Sequence, residues 1–143
     1  ETITSIKKDS FFVTSCYNHL ECRKVKNGEI VWVQDFENRI SRIFNYKNRV
    51  YLFFRSKKGY DLYELPNLHE ESIKKRYSIE SQERVEIYSV GDFIYIIDGY
   101  NLIKLEINEN EMVETSSEEL SEKGYDKLEF ITDYYSGKDY YFR

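Results

Sequence analysis

The sequence predicts an all-β protein built from repeated four-stranded antiparallel units. Short runs in which apolar side chains alternate with polar ones are bounded by Gly, Asn or Asp, and this pattern is typical of strands joined by tight turns. The same succession of runs returns about every forty residues, which indicates structural repeats. Composition agrees, because 14 Tyr and 9 Phe among 143 residues supply side chains that favour pleated, half-buried strands.

Each repeat centres on a strongly apolar run that directly follows a turn. The runs begin at Phe11, Val50, Phe93 and Tyr140, which are 39, 43 and 47 residues apart. The predicted central strands are 11–15, 50–54, 93–97 and 140–142. We expect the first three to be equivalent and each to pair antiparallel with the strand that follows it.

Weaker strand patterns flank every central run. The predicted first strands are 3–6, 40–44, 85–88 and 128–131, the third strands 20–22, 62–65 and 102–107, and the fourth strands 29–33, 76–79 and 112–114. The chain therefore divides into units at about 3–38, 39–83, 84–125 and 126–143. Four-stranded units of this length are typical of β-propeller blades, and an ordinary antiparallel meander or sandwich is the alternative.

Two segments interrupt the strand pattern. Pro66 to Lys75 is a polar insertion that has room for one helical turn. Ser116 and Glu119 have capping-box spacing and Gly124 follows as a stop signal, which predicts a short helix at about 117–123, with an acidic solvated loop as the alternative.

The first unit resembles a repeat of the quinoprotein-like propellers, and more loosely a WD40 blade, in Phe11–Ser15, Leu20–Val25 and Asn27–Trp32. The resemblance implies a propeller-like or partial-propeller architecture. It implies no cofactor site, because the chain has one Trp and lacks the regular closing Trp of quinoprotein blades. Closed propellers need about four to eight blades. We therefore expect residues 1–143 to be either one small all-β domain or a fragment of a larger propeller.

The side chains of most obvious chemical interest surround one predicted hairpin. Cys16 and Cys22 flank the turn that contains His19. These residues have four interpretations: two free thiols, a disulfide across the hairpin, a zinc site, or a Cys–His nucleophile pair. The zinc site lacks a fourth ligand, and the nucleophile pair lacks a group that would orient the imidazole. The sequence predicts no catalytic residue, cofactor or metal.

Charge is segregated along the chain, whose net charge is −5. Residues 39–58 contain seven basic residues and no acid, with aromatic residues interleaved, whereas residues 108–122 contain six Glu and no base. The candidate binding surface consists of Arg39, Arg42, Lys47, Arg49, Tyr51, Phe53, Arg55, Lys57 and Lys58. Such a surface suits an anionic partner. The alternative is that Tyr51 and Phe53 pack between sheets while the basic residues form a solvated rim.

These patterns favour a non-enzymatic protein-interaction module or scaffold. A propeller-fold enzyme acting on a glycan or small molecule, and an RNA-associated scaffold using residues 39–58, are the alternatives. We expect a protein partner, with self-association or contact with the remainder of the same protein through residues 128–143; nucleic acid is less favoured and no membrane is expected. The absence of an Asn-x-Ser/Thr sequon slightly favours a cytoplasmic or nuclear location.

The predicted core contains Phe12, Val31, Leu52, Ile94, Ile96 and Leu105.

Overall fold

The computed structural model describes residues 3–69, 72–108 and 111–119. In these residues all regular structure is β. The strands are β1 (Ile3–Lys8), β2 (Phe11–Cys16), β3 (His19–Lys24), β4 (Ile30–Asp35), β5 (Ile40–Tyr46), β6 (Arg49–Arg55), β7 (Gly59–Leu65), β8 (Lys74–Glu80), β9 (Val85–Val90), β10 (Phe93–Asp98), β11 (Asn101–Asn108) and β12 (Glu111–Glu119). The described part of the chain includes no helix that is long and apolar enough to cross a membrane.

The strands form three four-stranded antiparallel sheets, each in chain order. The first sheet is β1-β2-β3-β4, the second β5-β6-β7-β8 and the third β9-β10-β11-β12. The three central runs are β2, β6 and β10, the second strand of each sheet, and each pairs antiparallel with the next strand. The predicted equivalence of the central strands is therefore confirmed.

Tight turns join the first two strands of every sheet, and the backbone conformation explains their sequences. Asp9, Asn48 and Gly91 all have positive φ, at 54°, 60° and 61°. This left-handed conformation is favourable for Gly and tolerated by Asn and Asp, because their short polar side chains can bond locally. Asp9 and Gly91 are the first of the two residues in their turns, whereas Asn48 is the second in its turn and follows Lys47, whose φ is also positive at 47°.

The chain divides into two compact units, residues 1–80 and 81–143. The first unit holds the first and second sheets, which share one apolar core. Its buried members are Phe11, Val13, Leu20, Cys22, Trp32, Ile40, Ile43, Val50, Leu52, Phe54, Leu65 and Leu68. In the second unit the buried apolar residues of the third sheet include Val85, Ile87, Ile94, Ile96, Ile103 and Leu105.

The insertion after Pro66 seals the core of the first unit. The carbonyl oxygen of Leu68 accepts a 2.9 Å hydrogen bond from Trp32 Nε1 and a 3.5 Å bond from Cys22 Sγ. The His69 ring lies edge-on to Phe11 with 4.7 Å between centroids. The described residues of the insertion form a turn at 68–69 and the start of β8, and none is helical. The loop of the second sheet thereby closes over the first sheet.

The predicted core is only partly correct. Leu52, Ile94, Ile96 and Leu105 are fully buried. Phe12 and Val31 are half-buried. On β2 the inward positions are Phe11, Val13 and Ser15, so alternation turns Phe12 to the other face. On β4 the buried side chain is Trp32, next to a bulge that interrupts the pairing with β3.

The helix predicted at 117–123 is wrong over 117–119, where β12 is extended and pairs Leu102 with Glu118 and Asn101 with Glu119. The capping-box spacing favours a helix only through local interactions. Pairing with β11 instead gives the backbone N–H and C=O groups of β12 hydrogen-bond partners along the whole strand. The rest of that helix and the predicted strands at 128–131 and 140–142 lie outside the described residues.

Candidate interaction surface

The two aromatic residues of the candidate binding surface are buried on β6. Tyr51 is 0% exposed and Phe53 is 1% exposed. The Tyr51 ring stacks on Phe44 across the β5–β6 pair at 5.6 Å, and the Phe53 ring stacks on Tyr60 at 5.0 Å. Both rings are therefore packing residues, and their faces are closed to a nucleic-acid base or another ligand.

Arg49 lies in an ion cluster at the end of the second sheet. Its Nη1 is 3.3 Å from Glu64 Oε1, and the same oxygen accepts a 2.9 Å hydrogen bond from Arg76 Nε. Glu64 is only 3% exposed, so its charge depends on the two guanidinium groups. Arg49 thus serves mainly to neutralise a buried carboxylate.

The Tyr51 hydroxyl lies beside this cluster. It is buried and makes no hydrogen bond of acceptable geometry with a described residue. Burial is the main cause that raises its pKa far above the usual value, the Glu64 charge adds to the rise, and the nearby guanidinium of Arg49 opposes it. The Tyr51 hydroxyl therefore stays protonated, with the Arg49 guanidinium as a polar neighbour.

Four other cations of the candidate surface come together at the opposite end of the second sheet. Lys57 and Lys58 lie in the β6–β7 turn, which Ser56 N closes with a 2.8 Å hydrogen bond to Gly59 O. Arg55 ends β6, and Arg39 precedes β5, whose first residue pairs with Phe54. All four side chains are exposed. None of them forms an ion pair with another residue in the described ranges.

Tyr17 joins these four cations through the crossing from the first sheet to the second. Ile40 N donates a 2.7 Å hydrogen bond to Tyr17 O, and the Arg39 guanidinium carbon lies 4.9 Å from the centre of the Tyr17 ring. Tyr17 is 49% exposed. We call Tyr17, Arg39, Arg55, Lys57 and Lys58 the basic end of the first unit.

A small pocket opens next to the basic end. Its volume is about 180 Å³, and it is lined by Phe36, Glu37, Asn38, Phe54, Arg55, Asp61, Tyr63 and Ile73. Ligand pockets usually measure about 300–1,000 Å³, so this one suits a single side chain rather than a whole small molecule. Asp61 already interacts with Lys75 and Ser78, at 3.7 and 2.7 Å. An incoming side chain would therefore meet three aromatic rings and Ile73, with Arg55, Asn38 and the carboxylate of Glu37 as the polar groups of the pocket.

The remaining two basic residues lie apart from the basic end. Arg42 is exposed in the middle of β5, opposite Phe53. Lys47 is exposed in the β5–β6 turn at the other end of the sheet, with its ammonium 5.6 Å from the Tyr46 ring centre. Antiparallel pairing separates the basic segment in this way, because consecutive turns lie at opposite ends of a sheet.

Cys16 and His19 lie on the outward face of the first sheet, whereas Cys22 lies on the face that packs into the core. Cys16 is opposite His19 and Cys22 is opposite Val13, so the two thiols point to opposite faces and remain free. Burial raises the pKa of Cys22 to about 11, which makes it an inert core thiol. In the described ranges no three His, Cys, Asp or Glu side chains are arranged to hold a metal ion.

His19 is held between two carboxylates on the outward face of this sheet. Its Nδ1 is 2.6 Å from Asp35 Oδ1 and its Nε2 is 3.1 Å from Glu21 Oε1. The hydrogen bond to Asp35 is the largest cause that raises the pKa of His19, and the bond to Glu21 is the second. The charged imidazolium is favoured because both ring nitrogens then donate. With Nε2 bonded to Glu21, this imidazole does not activate the Cys16 thiol.

Tyr17 and the pocket are the parts of this surface that the sequence did not indicate. Their assembly depends on the crossing from β4 to β5, which no local pattern encodes.

No protein-family model matches this sequence, and no curated protein is significantly similar to it. The function is therefore inferred from the geometry of the chain itself.

Proposed function

We propose that this chain is a non-enzymatic protein-interaction module built from propeller-like blades. The repeated strand order supports this, since three consecutive sheets have the same four-stranded meander. The burial pattern also supports it. In the second sheet, five successive residues of β6 are buried, whereas β8 contains only exposed and half-buried residues. Strands that are covered on both faces in the middle of a sheet and exposed at its outer edge are what stacked blades require.

The partner that we propose for the basic end is an acidic protein segment with one large apolar side chain. The observation that carries this proposal is the set of four exposed cations, without ion pairs in the described ranges, beside a pocket of about 180 Å³ with aromatic walls. Complementary charge speeds encounter and fixes orientation, and a buried apolar anchor supplies most of the affinity. The burial of Tyr51 and Phe53 favours this partner over single-stranded nucleic acid, which needs open aromatic faces.

The test is a binding titration followed by fluorescence anisotropy. The probe is a labelled poly-glutamate peptide with one central Trp, and a matched probe carries Ala in place of that Trp. We expect the Trp peptide to bind more tightly than the Ala peptide. The double variant Lys57→Glu, Lys58→Glu should weaken binding at least about tenfold, through lost attraction and new repulsion. Lys47→Glu, at the other end of the same sheet, is the matched control for the single variant Lys57→Glu, because both change the net charge by the same amount, and it should bind like the wild type whereas Lys57→Glu should bind more weakly.

Three results would contradict this assignment. Equal weakening by Lys47→Glu would indicate a response to net charge alone. Equal affinity of the Trp and Ala peptides would remove the pocket from the surface. Tighter binding of a single-stranded oligouridylate than of either peptide, lost in the same double variant, would instead favour the RNA-associated scaffold.

Residues 128–143, through which we expect contact with a second copy or with the remainder of the same protein, lie outside the described residues, and their role stays a prediction. The enzyme alternative gains no specific support from the arrangement of the described side chains.

A further inference from the structure

The pocket beside the basic end contains one carboxylate that no described residue engages. Glu37 lines the pocket and is exposed, and its carboxylate forms no ion pair or hydrogen bond within the described ranges. The carboxylate of Asp61 also lines the pocket, but it already accepts a 2.7 Å hydrogen bond from Ser78 and lies 3.7 Å from the Lys75 ammonium. Glu37 is therefore the charged acceptor that an incoming side chain can still bind.

The backbone on both sides of Glu37 is held by the β2–β3 turn. Phe36 N donates a 2.8 Å hydrogen bond to Asn18 O, and Phe36 O accepts a 2.7 Å bond from Asn18 Nδ2. On the other side, Ile40 N donates a 2.7 Å bond to Tyr17 O. The segment that carries Glu37 is thus ordered before a partner arrives, and a preorganised acceptor loses little freedom on binding.

The walls of the pocket around Glu37 are mostly apolar. Ile73 and three aromatic rings line it, and the ring centre of Phe54 lies 4.7 Å from that of Phe36 and 5.6 Å from that of Tyr63. An anchor that suits these walls and the carboxylate combines an apolar ring with a hydrogen-bond donor. The indole of tryptophan does so, because its Nε1–H is a donor and the ring has no acceptor. A phenylalanine or leucine anchor has no donor for Glu37, and a glutamate anchor would bring a like charge next to it.

We propose that Glu37 selects tryptophan as the anchor of the acidic partner, by accepting a hydrogen bond from the indole Nε1–H and by keeping the partner's carboxylates out of the pocket. This inference rests on the proposed function of the basic end and names the anchor that it takes. The partner's acids are left to Arg39, Lys57 and Lys58 outside the pocket, so Glu37 also fixes the register in which the segment lies. The Asn38 amide is a neutral acceptor in the same pocket, and hydrogen bonds to neutral acceptors are weaker than those to a carboxylate.

The test compares two labelled poly-glutamate peptides by fluorescence anisotropy. One carries a central Trp and the other carries benzothienylalanine, which has the shape of tryptophan but a sulfur atom in place of the N–H. Both probes have the same charge, so the ratio of their affinities does not depend on overall attraction. We expect the wild type to bind the Trp probe about fivefold or more tightly than the benzothienyl probe, because only the indole can donate to Glu37.

Three variants assign this ratio to one residue. In Glu37→Leu the ratio should fall below about twofold, since leucine offers no acceptor. Glu29→Leu removes the same charge in the β3–β4 turn, at the opposite end of the first sheet from Tyr17, and should keep the wild-type ratio. Asn38→Leu removes the neighbouring amide and should keep most of the ratio. Circular dichroism of each variant checks that the fold is kept.

The outcomes separate this inference from the proposed function. If the wild type binds both ring probes equally and more tightly than the Ala probe, the selection by Glu37 is overturned while the anchored interaction stands. If neither ring probe binds more tightly than the Ala probe, the pocket is not part of the surface and both fail. A ratio that persists in Glu37→Leu, or that Glu29→Leu or Asn38→Leu abolishes equally, also overturns the role of Glu37.

Discussion

Glu64 is expected to be the most sensitive charged residue of the first unit. Its Oε1 atom is shared by Arg76 Nε at 2.9 Å and Arg49 Nη1 at 3.3 Å, and the residue is 3% exposed. The Arg76 side chain is 12% exposed and that of Arg49 is 31% exposed, so water can partly solvate only the second guanidinium. The change Glu64→Gln keeps the shape of the side chain and removes the negative charge between them.

The expected loss in the free energy of unfolding is about 3–5 kcal/mol, the usual cost of removing one partner of a buried ion pair. With a urea dependence of about 2 kcal/mol per molar, the unfolding midpoint should fall by about 1.5–2.5 M. Trp32 is the only Trp of the chain, is 7% exposed and belongs to the same unit as Glu64. Its fluorescence therefore reports the unfolding of that unit directly.

Tyr51→Phe is the control, because it alters the same buried region without removing a charge. The lost hydroxyl makes no hydrogen bond of acceptable geometry with a described residue, so the substitution should change stability by less than about 1 kcal/mol or increase it. If Glu64→Gln shifts the free energy of unfolding by less than about 0.5 kcal/mol, the two guanidinium groups do not depend on this carboxylate and the reasoning is refuted.

Three further predictions concern the core, the loop closure and the pH response. Ile96→Ala should cost about 2–5 kcal/mol in a denaturant titration, since Ile96 is fully buried, and a cost below about 0.5 kcal/mol would show that it is not a core residue. Trp32→Phe should cost about 1–3 kcal/mol by circular dichroism, because Leu68 O loses its indole donor; a neutral effect would show that the loop closes without this bond. In NMR titrations the pKa of His19 should lie above 6.5 and should fall toward 6.5 in Asp35→Asn. Because the pKa is higher in the folded state, the charged imidazolium stabilises the fold fully below pH 6.5, and this contribution is lost as the pH rises through the folded-state pKa. An unchanged pKa in the variant would contradict the geometry.

The strands and their order could be predicted from the sequence because they follow from local rules. Runs such as 50–54 can bury both faces only as central strands, and turn residues with positive φ, such as Asn48 and Gly91, set where each hairpin begins. Antiparallel meanders add each strand beside the previous one, so the sequence order is also the spatial order. The prediction that Phe12 is a core residue is wrong by one position, because a shift of one residue exchanges the two faces of a strand.

The tertiary structure determines which basic residues of the segment 39–58 come together at the basic end of the first unit. Arg39 and Arg55 belong to one basic segment in the sequence, but only the register of β5 and β6 sends them to one end and Lys47 to the other. Arg49 matched the others in charge, yet the buried carboxylate of Glu64, fifteen residues away, engages it. Tyr17 enters the basic end through a backbone hydrogen bond with Ile40 in the next sheet. Local sequence thus determines which residues are extended and which turn, because backbone preferences act over a few residues, whereas the neighbours of a charged side chain depend on contacts between segments far apart in the chain.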